Sequence, residues 1–236
     1  MCTVSFYKNK DQVIITSNRD ESIHRPLALP PTKITFNHST IYCPIDPQHN
    51  GTWFAVNQNN SAFVLLNGAK KKHVRNPPYK KSRGIILLEI AGSSNYLEVW
   101  RSIDLEQIEN FTIVAYFEGK LAQLRWDGSI KSHLFLDENK AHIWCSSTLY
   151  DAPTIKKREE LFFNFLESKN NEVFSNDIID FHTTTKDEDS NNGLIMKRMN
   201  NMLTKNVTQT IMYPTHFNMQ HWDLIKNGKT IIEKLF

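Results

Sequence analysis

The sequence predicts an α+β fold in which mainly antiparallel sheets carry helices on their outer faces. Three observations predict it. The β-prone runs come in groups joined by hairpin-length links, helix-period segments separate those groups, and one of these segments carries a clear apolar stripe. The 236 residues suffice for one large domain with a sizeable core, so a single domain over residues 1–236 is expected.

The chain opens on a hairpin, with Cys2 to Tyr7 and Gln12 to Ser17 β-prone and Lys8 to Asp11 polar. A turn at Asn9-Lys10 sets Phe6 opposite Val13, Val4 opposite Ile15 and Cys2 opposite Ser17, which brings the start of the chain beside Asn18-Arg19-Asp20-Glu21. Pro26, Pro30 and Pro31 mark a loop before a short β-prone segment, Thr40 to Cys43. A second hairpin follows, with strands Thr52 to Asn57 and Ala62 to Leu66 about a turn at Asn59-Asn60.

Ser82 to Ala91 has helical period, with Ser82 placed to cap it and Gly92 to stop it, and Tyr96 to Ile103 reads as a second short helix. Phe111 to Phe117, Leu121 to Trp126 and Ile130 to Leu136 form a meander, punctuated by Glu118-Gly119 and Asp127-Gly128. Ala141 to Cys145 adds a strand. Thr154 to Lys169 is the clearest helix, with Ile155, Leu161, Phe162, Phe165 and Leu166 along one stripe. Ser175 to Phe181 reads as a helix and Thr183 to Asn192 as a mobile loop; Gln209 to Tyr213, Met219 to Ile225 and Thr230 to Lys234 close the chain as strands.

The net charge of +3 does not demand a polyanionic partner, so nucleic acid is not expected. The densest basic stretch, Lys70, Lys71, Lys72, His73 and Arg75 followed by Lys80, Lys81 and Arg83, reads as a solvated loop, with attraction of an anionic ligand or surface as its functional alternative. No apolar run approaches the roughly 20 residues of a membrane span, and the polar residues from Lys8 onward leave no room for a secretory signal, so a cytoplasmic protein without a transmembrane segment is expected. Cys2, Cys43 and Cys145 are far apart, fitting neither a disulfide framework nor a zinc site, and the histidines show no ligand spacing; no metal is predicted.

Met1-Cys2, Asn18-Arg19-Asp20-Glu21 after a short hairpin, and Gly51-Thr52-Trp53 before a strand together resemble the NRDE family, also known as the Transport and Golgi organisation 2 family. Leu66-Asn67, Ser82-Arg83-Gly84, Ser146 to Pro153 and Thr208-Gln209-Thr210 extend the likeness over nearly the whole chain. The resemblance implies a four-layer αββα sandwich like that of N-terminal nucleophile hydrolases, with Cys2 as nucleophile once Met1 is removed. A free thiol is mostly protonated at neutral pH and needs a base or cation, and the new α-amino group is such a base.

In the bile-salt-hydrolase branch that this arrangement resembles, an Arg and an Asp shortly after the first hairpin hold the nucleophile and its amine, and Arg19 and Asp20 fall at that place. Asn67 is the candidate oxyanion donor. Asn18 and Glu21 serve either the site or the turn leaving the strand, and Trp53 is placed to line a pocket beside the nucleophile. Ser147 stands where a second Asn is expected, and Val207 where an Arg is expected before Thr-Gln-Thr, with Lys205 and Asn206 adjacent. The bland alternatives are that Cys2 is a small strand residue and Asn-Arg-Asp-Glu a turn with an internal salt bridge. The functional expectation is a hydrolase of a non-peptide amide or thioester of a small acyl compound, without cofactor. Its rival is a non-catalytic carrier whose cleft holds haem or an acyl lipid.

Overall fold

A computed structural model describes residues 3–170, 172–185, 193–198 and 201–235. It consists of two antiparallel sheets face to face, each covered outside by helices. One sheet takes the two ends of the chain, in the order β10 (His142–Cys145), β1 (Thr3–Lys8), β2 (Val13–Ser22), β12 (Met202–Met212), β13 (His216–Asp223) and β14 (Gly228–Leu235), with β11 (Lys197–Arg198) beside β12. The other is a meander in sequence order: β3 (Leu29–Phe36), β4 (Ser39–Ile45), β5 (Phe54–Asn57), β6 (Ala62–Asn67), β7 (Phe111–Phe117), β8 (Lys120–Trp126) and β9 (Lys131–Leu136). Helices α1 (Arg83–Ala91) and α2 (Tyr96–Ser102) cover the meander, while α3 (Ala152–Ser168) and α4 (Ser175–Thr184) cover the first sheet. The predicted αββα sandwich is the fold.

Strand alternation builds both cores from the same residues. In the opening hairpin Val4, Phe6 and Ile15 enter the cluster between the sheets, whereas Tyr7 and Ile14 enter a second cluster with Phe162, Ile178 and Phe181 beneath α3 and α4. A strand buried on both faces has no polar side to show, so β1 and β2 are buried almost end to end.

The hairpin register differs from the expected one by two residues. Asn9 Oδ1 accepts from the backbone N–H of Asp11 and of Gln12, each at 3.1 Å, and this Asx turn lengthens the loop. Phe6 therefore faces Ile15, Val4 faces Ser17 and Thr3 faces Asn18. A two-residue slide preserves which side chains point to which face, so the core assignment survives it. The expected pairing of Ser17 with Cys2 is replaced by pairing with Val4; Cys2 itself lies outside the described residues.

Several strands run longer than their sequence signals. β2 continues to Ser22 because β12 goes on pairing with it past Asn18, where β1 ends, so Asn18-Arg19-Asp20-Glu21 is strand and not a turn. Pro30 and Pro31, expected in a loop, lie inside β3, an edge strand whose register breaks between Leu29 and Thr32, where the missing N–H groups leave no central ladder unpaired. β12 starts at Met202 rather than Gln209, and β13 at His216 rather than Met219. Thr183 and Thr184 end α4, whereas residues 186–192 of the expected loop lie outside the described residues.

The α1 caps follow the sequence: Ser82 Oγ accepts from Ile85 N, and Gly92 closes the helix. Gly84 lets this end of α1 lie against the strand connection, since a Cβ there would stand 2.8 Å from the Thr52 carbonyl oxygen.

Candidate functional site

Strand β2 divides its four-residue motif between two environments. Arg19 and Glu21 point between the sheets; Asn18 and Asp20 point toward α3 and α4. Arg19 is 2 % exposed. Its Nη2 donates to Asp46 Oδ2 at 3.1 Å and lies 3.7 Å from Glu21 Oε2, and its guanidinium carbon stands 4.6 Å from the centroid of the Trp53 ring. Its Nη1 is buried without a hydrogen-bond partner among the described residues, as is Trp53 Nε1. Asp46 also takes Arg25 Nη2 at 2.8 Å. Burial acts to raise the Asp46 pKa, but hydrogen bonds and charge from Arg25, helped by Arg19, outweigh it and leave the carboxyl below its usual range.

These groups line a cleft of about 660 Å³ that also takes in Asn67 at the end of β6. The Asn67 carbonyl accepts from Ser146 Oγ at 2.8 Å, which pins that strand end to the segment after β10. The basic stretch expected as a solvated loop forms much of the rim: Lys72, His73, Arg75, Lys80, Lys81 and Arg83 all line the cleft. Glu109 holds it in place, with Oε1 3.1 Å from Arg75 Nε and Oε2 3.2 Å from Arg83 Nη2. Seven Lys and Arg face three carboxylates around this lining.

The remaining predicted residues lie elsewhere. Asn18 Nδ2 donates to the carbonyls of His182 and Leu194, both at 3.0 Å, and Asn18 Oδ1 pairs with His182 Nδ1. That pairing makes His182 Nδ1 the protonated nitrogen and leaves Nε2 to accept from Ser5 Oγ at 2.7 Å. Burial, with the nearby Arg158 charge, drives the His182 pKa down to about 3. Asp20 accepts from Tyr150 Oη at 2.6 Å and from Thr204 Oγ1. Tyr150 in turn has two guanidiniums near its ring, with Arg158 Cζ at 3.8 Å and Arg198 Cζ at 5.2 Å from the centroid. Ser147, 8 % exposed, donates to the Lys71 carbonyl at 3.4 Å and lines a neighbouring hollow of about 510 Å³ that meets the cleft at Thr148 and Lys72.

Sequence reasoning missed His182 and Asp46, which are separated in the chain from the motif residues they contact, and Arg158, which stacks on Tyr150; Tyr150 itself lay in the Ser146 to Pro153 match but was not singled out. Lys205, at the bulge between Thr204 and Asn206, spends its ammonium on the carbonyls of Ile23 and Arg25. Cys43 is fully buried, and desolvation pushes its thiol up to about 12; burial also raises Cys145.

The sequence pattern of the Transport and Golgi organisation 2 family matches residues 1–226. The chain belongs to that family. No curated protein matches the chain significantly in sequence. Solved structures that resemble this family member include a Caenorhabditis elegans N-acylethanolamine-hydrolyzing acid amidase ortholog, with TM-score 0.61 and 11 % identity over 88 % of this chain and 92 % of that one. A variant conjugated bile acid hydrolase from Clostridium perfringens gives TM-score 0.57 and 10 % identity, over 100 % of this chain and 97 % of the other. At such identities the likeness concerns the fold, which is that of N-terminal nucleophile hydrolases. Among the described residues, no helix is long and apolar enough to cross a membrane.

Proposed function

We propose that this family member is a cysteine hydrolase of the N-terminal-nucleophile kind, acting on the amide or thioester of a small, non-peptide acyl compound in the cytoplasm. The observation that carries the reading is a buried guanidinium at a cleft between the sheets, placed where the chain begins. Thr3 opens β1 and faces Asn18, so Arg19 is the next residue beyond that pair. Covalent geometry keeps the Cys2 Cα about 3.8 Å from that of Thr3. Free thiols at Cys43 and Cys145 suit a reducing compartment.

In this mechanism removal of Met1 frees the α-amino group of Cys2, which takes the thiol proton directly or through water. Arg19 favours the resulting thiolate. Sulfur attacks the acyl carbonyl, the oxyanion is met by the Asn67 side chain, and the amine or thiol leaves with the proton. Water then releases the acid from the acyl-thioester and restores Cys2. Asp20 contributes by fixing β2 to β12 and to Tyr150.

One observation favours the rival reading, a carrier of haem or an acyl lipid. Ser147 opens on the neighbouring hollow, and Val207 sits opposite Asn18, on the helix-facing side of β12. Neither supplies the cleft with the donor expected at its place. The test is turnover of acyl-CoA, N-acyl amino acid and acyl-homoserine-lactone substrates beside a haem titration. A hydrolase loses on the order of a thousandfold or more in turnover on Cys2→Ala and shows an acylated Cys2 in its intact mass. Saturable haem binding without any Cys2-dependent hydrolysis overturns the enzyme.

A further inference from the structure

At the cleft, Arg19 and Trp53 line the wall and Asn206 pairs with Arg19 in the sheet, and all three carry buried polar atoms without hydrogen-bond partners among the described residues. Asn206 is 0 % exposed, and neither its Nδ2 nor its Oδ1 has a hydrogen-bond partner among the described residues. It is the ladder partner of Arg19, so the two side chains leave the sheet on the same face with Cβ atoms about 5 Å apart. Arg19 Nη1 and Trp53 Nε1 are likewise buried and unpartnered, and Arg19 stacks over Trp53. Three neighbouring residues thus have N–H donors that are desolvated without a partner among the described residues, which is unfavourable until an acceptor meets them. Buried polar groups are otherwise nearly always paired, so orphan donors of Arg19 and Trp53 at the cleft wall, with Asn206 beside Arg19, mark a place that suits a ligand's acceptor group.

From this arrangement we infer that Arg19, Trp53 and Asn206 form a binding site for the carboxylate of an acyl ligand. The donors call for an acceptor-rich group, and their charge sets its valence. The guanidinium is the only charged group of the three, and the indole and the amide are neutral donors. It shares the single carboxylate of Asp46 with Arg25, which leaves one net positive charge on Arg19, Arg25 and Asp46 together, Glu21 being farther at 3.7 Å. That set balances a monoanion such as a carboxylate and leaves the second charge of a phosphate ester uncompensated. The basic rim attracts anions toward the cleft from solution but does not select among them, because exposed charges are screened.

The inference names the ligand class for the cleft of the proposed hydrolase, and its test does not need the thiol. Binding is measured by calorimetry on full-length Cys2→Ala protein, with N-octanoylglycine, the neutral N-octanoylglycinamide and octyl phosphate as probes. The acid binds at least about tenfold more tightly than the amide, as a charge-assisted hydrogen bond requires, and more tightly than octyl phosphate. Trp53→Phe, which keeps the ring under Arg19 but deletes the N–H, and Asn206→Ala each shrink the acid-over-amide ratio. Equal binding of acid and amide, binding of none of the probes, or octyl phosphate as the preferred ligand overturns the inference. So does a loss of turnover in Trp53→Phe and Asn206→Ala with the ratio unchanged, which would assign these donors to the reaction oxyanion. Loss of hydrolysis alone, with the ratio intact, counts against the enzyme reading and leaves the carboxylate site standing.

Discussion

The two faces of β2 carry adjacent residues of one motif in opposite states. On the helix face Asn18 and Asp20 are held in networks: three contacts join Asn18 to His182 and Leu194, and Asp20 meets Tyr150 and Thr204. On the cleft face Arg19, Trp53 and Asn206 keep buried donors without partners among the described residues. A saturated network stabilises and orients a strand, whereas an unsaturated one retains a free-energy cost that a ligand can relieve. Sharing a motif does not imply sharing a role: the helix face holds the strand in place, and the cleft face is left to hold a ligand.

The largest expected effect is on stability. Asn18→Leu strands the His182 ring and two carbonyls in the core and costs about 3–5 kcal/mol, read from urea midpoints. Arg19→Leu stays within about 1 kcal/mol of wild type, because removing a half-paired buried charge also removes its desolvation cost and Asp46 keeps Arg25. Equal losses in the two variants would break the comparison.

Acid sharpens it further. His182 has a folded pKa of about 3 against an ordinary 6.5, so between those values the unfolded chain binds more protons than the folded one. Stability therefore falls as pH drops below about 6.5 and continues to fall toward pH 3. His221, beside Trp53 on the cleft side, is lowered to about 4, chiefly by burial, and adds to the same trend. His182→Gln should flatten the slope of urea midpoint against pH between 6.5 and 4; an unchanged slope assigns the acid sensitivity to other groups.

Alkylation asks which face the nucleophile answers to. With iodoacetamide at neutral pH, Cys2 reacts first, and Arg19→Ala slows it about tenfold, the size of a one-unit rise in thiol pKa. Cys43 stays unlabelled in the folded protein because it is buried and its thiol is raised to about 12. Peptide mass showing Cys43 or Cys145 modified before Cys2 would contradict this order.

The smallest effect belongs to the rim. Lys80 and Lys81 are 50 % and 42 % exposed, so replacing both by Ala changes stability by less than about 1 kcal/mol. The double variant instead slows association of anionic probes at low salt, a difference that disappears as salt is raised.

Local signals in the sequence determined the hairpins, the meander turns, the α1 caps and the apolar stripe of α3, because each depends on residues a few positions apart. The family resemblance, a pattern spread along the chain, also singled out Arg19, Trp53 and Asn67, which line one cleft. Cys2 was legible only as chemistry and lies outside the described residues. The length of β2, the Pro-containing edge strand and the β12 start were not legible, since strand extent depends on which neighbours supply the ladder. The split of the motif between two faces, the engagement of Asn18 by His182 and of Asp20 by Tyr150, the conversion of a basic loop into a cleft rim and the orphaned Asn206 were decided by tertiary structure alone. Each depends on groups brought together from distant parts of the chain, and hydrogen-bond satisfaction is a property of that assembly, not of any segment within it.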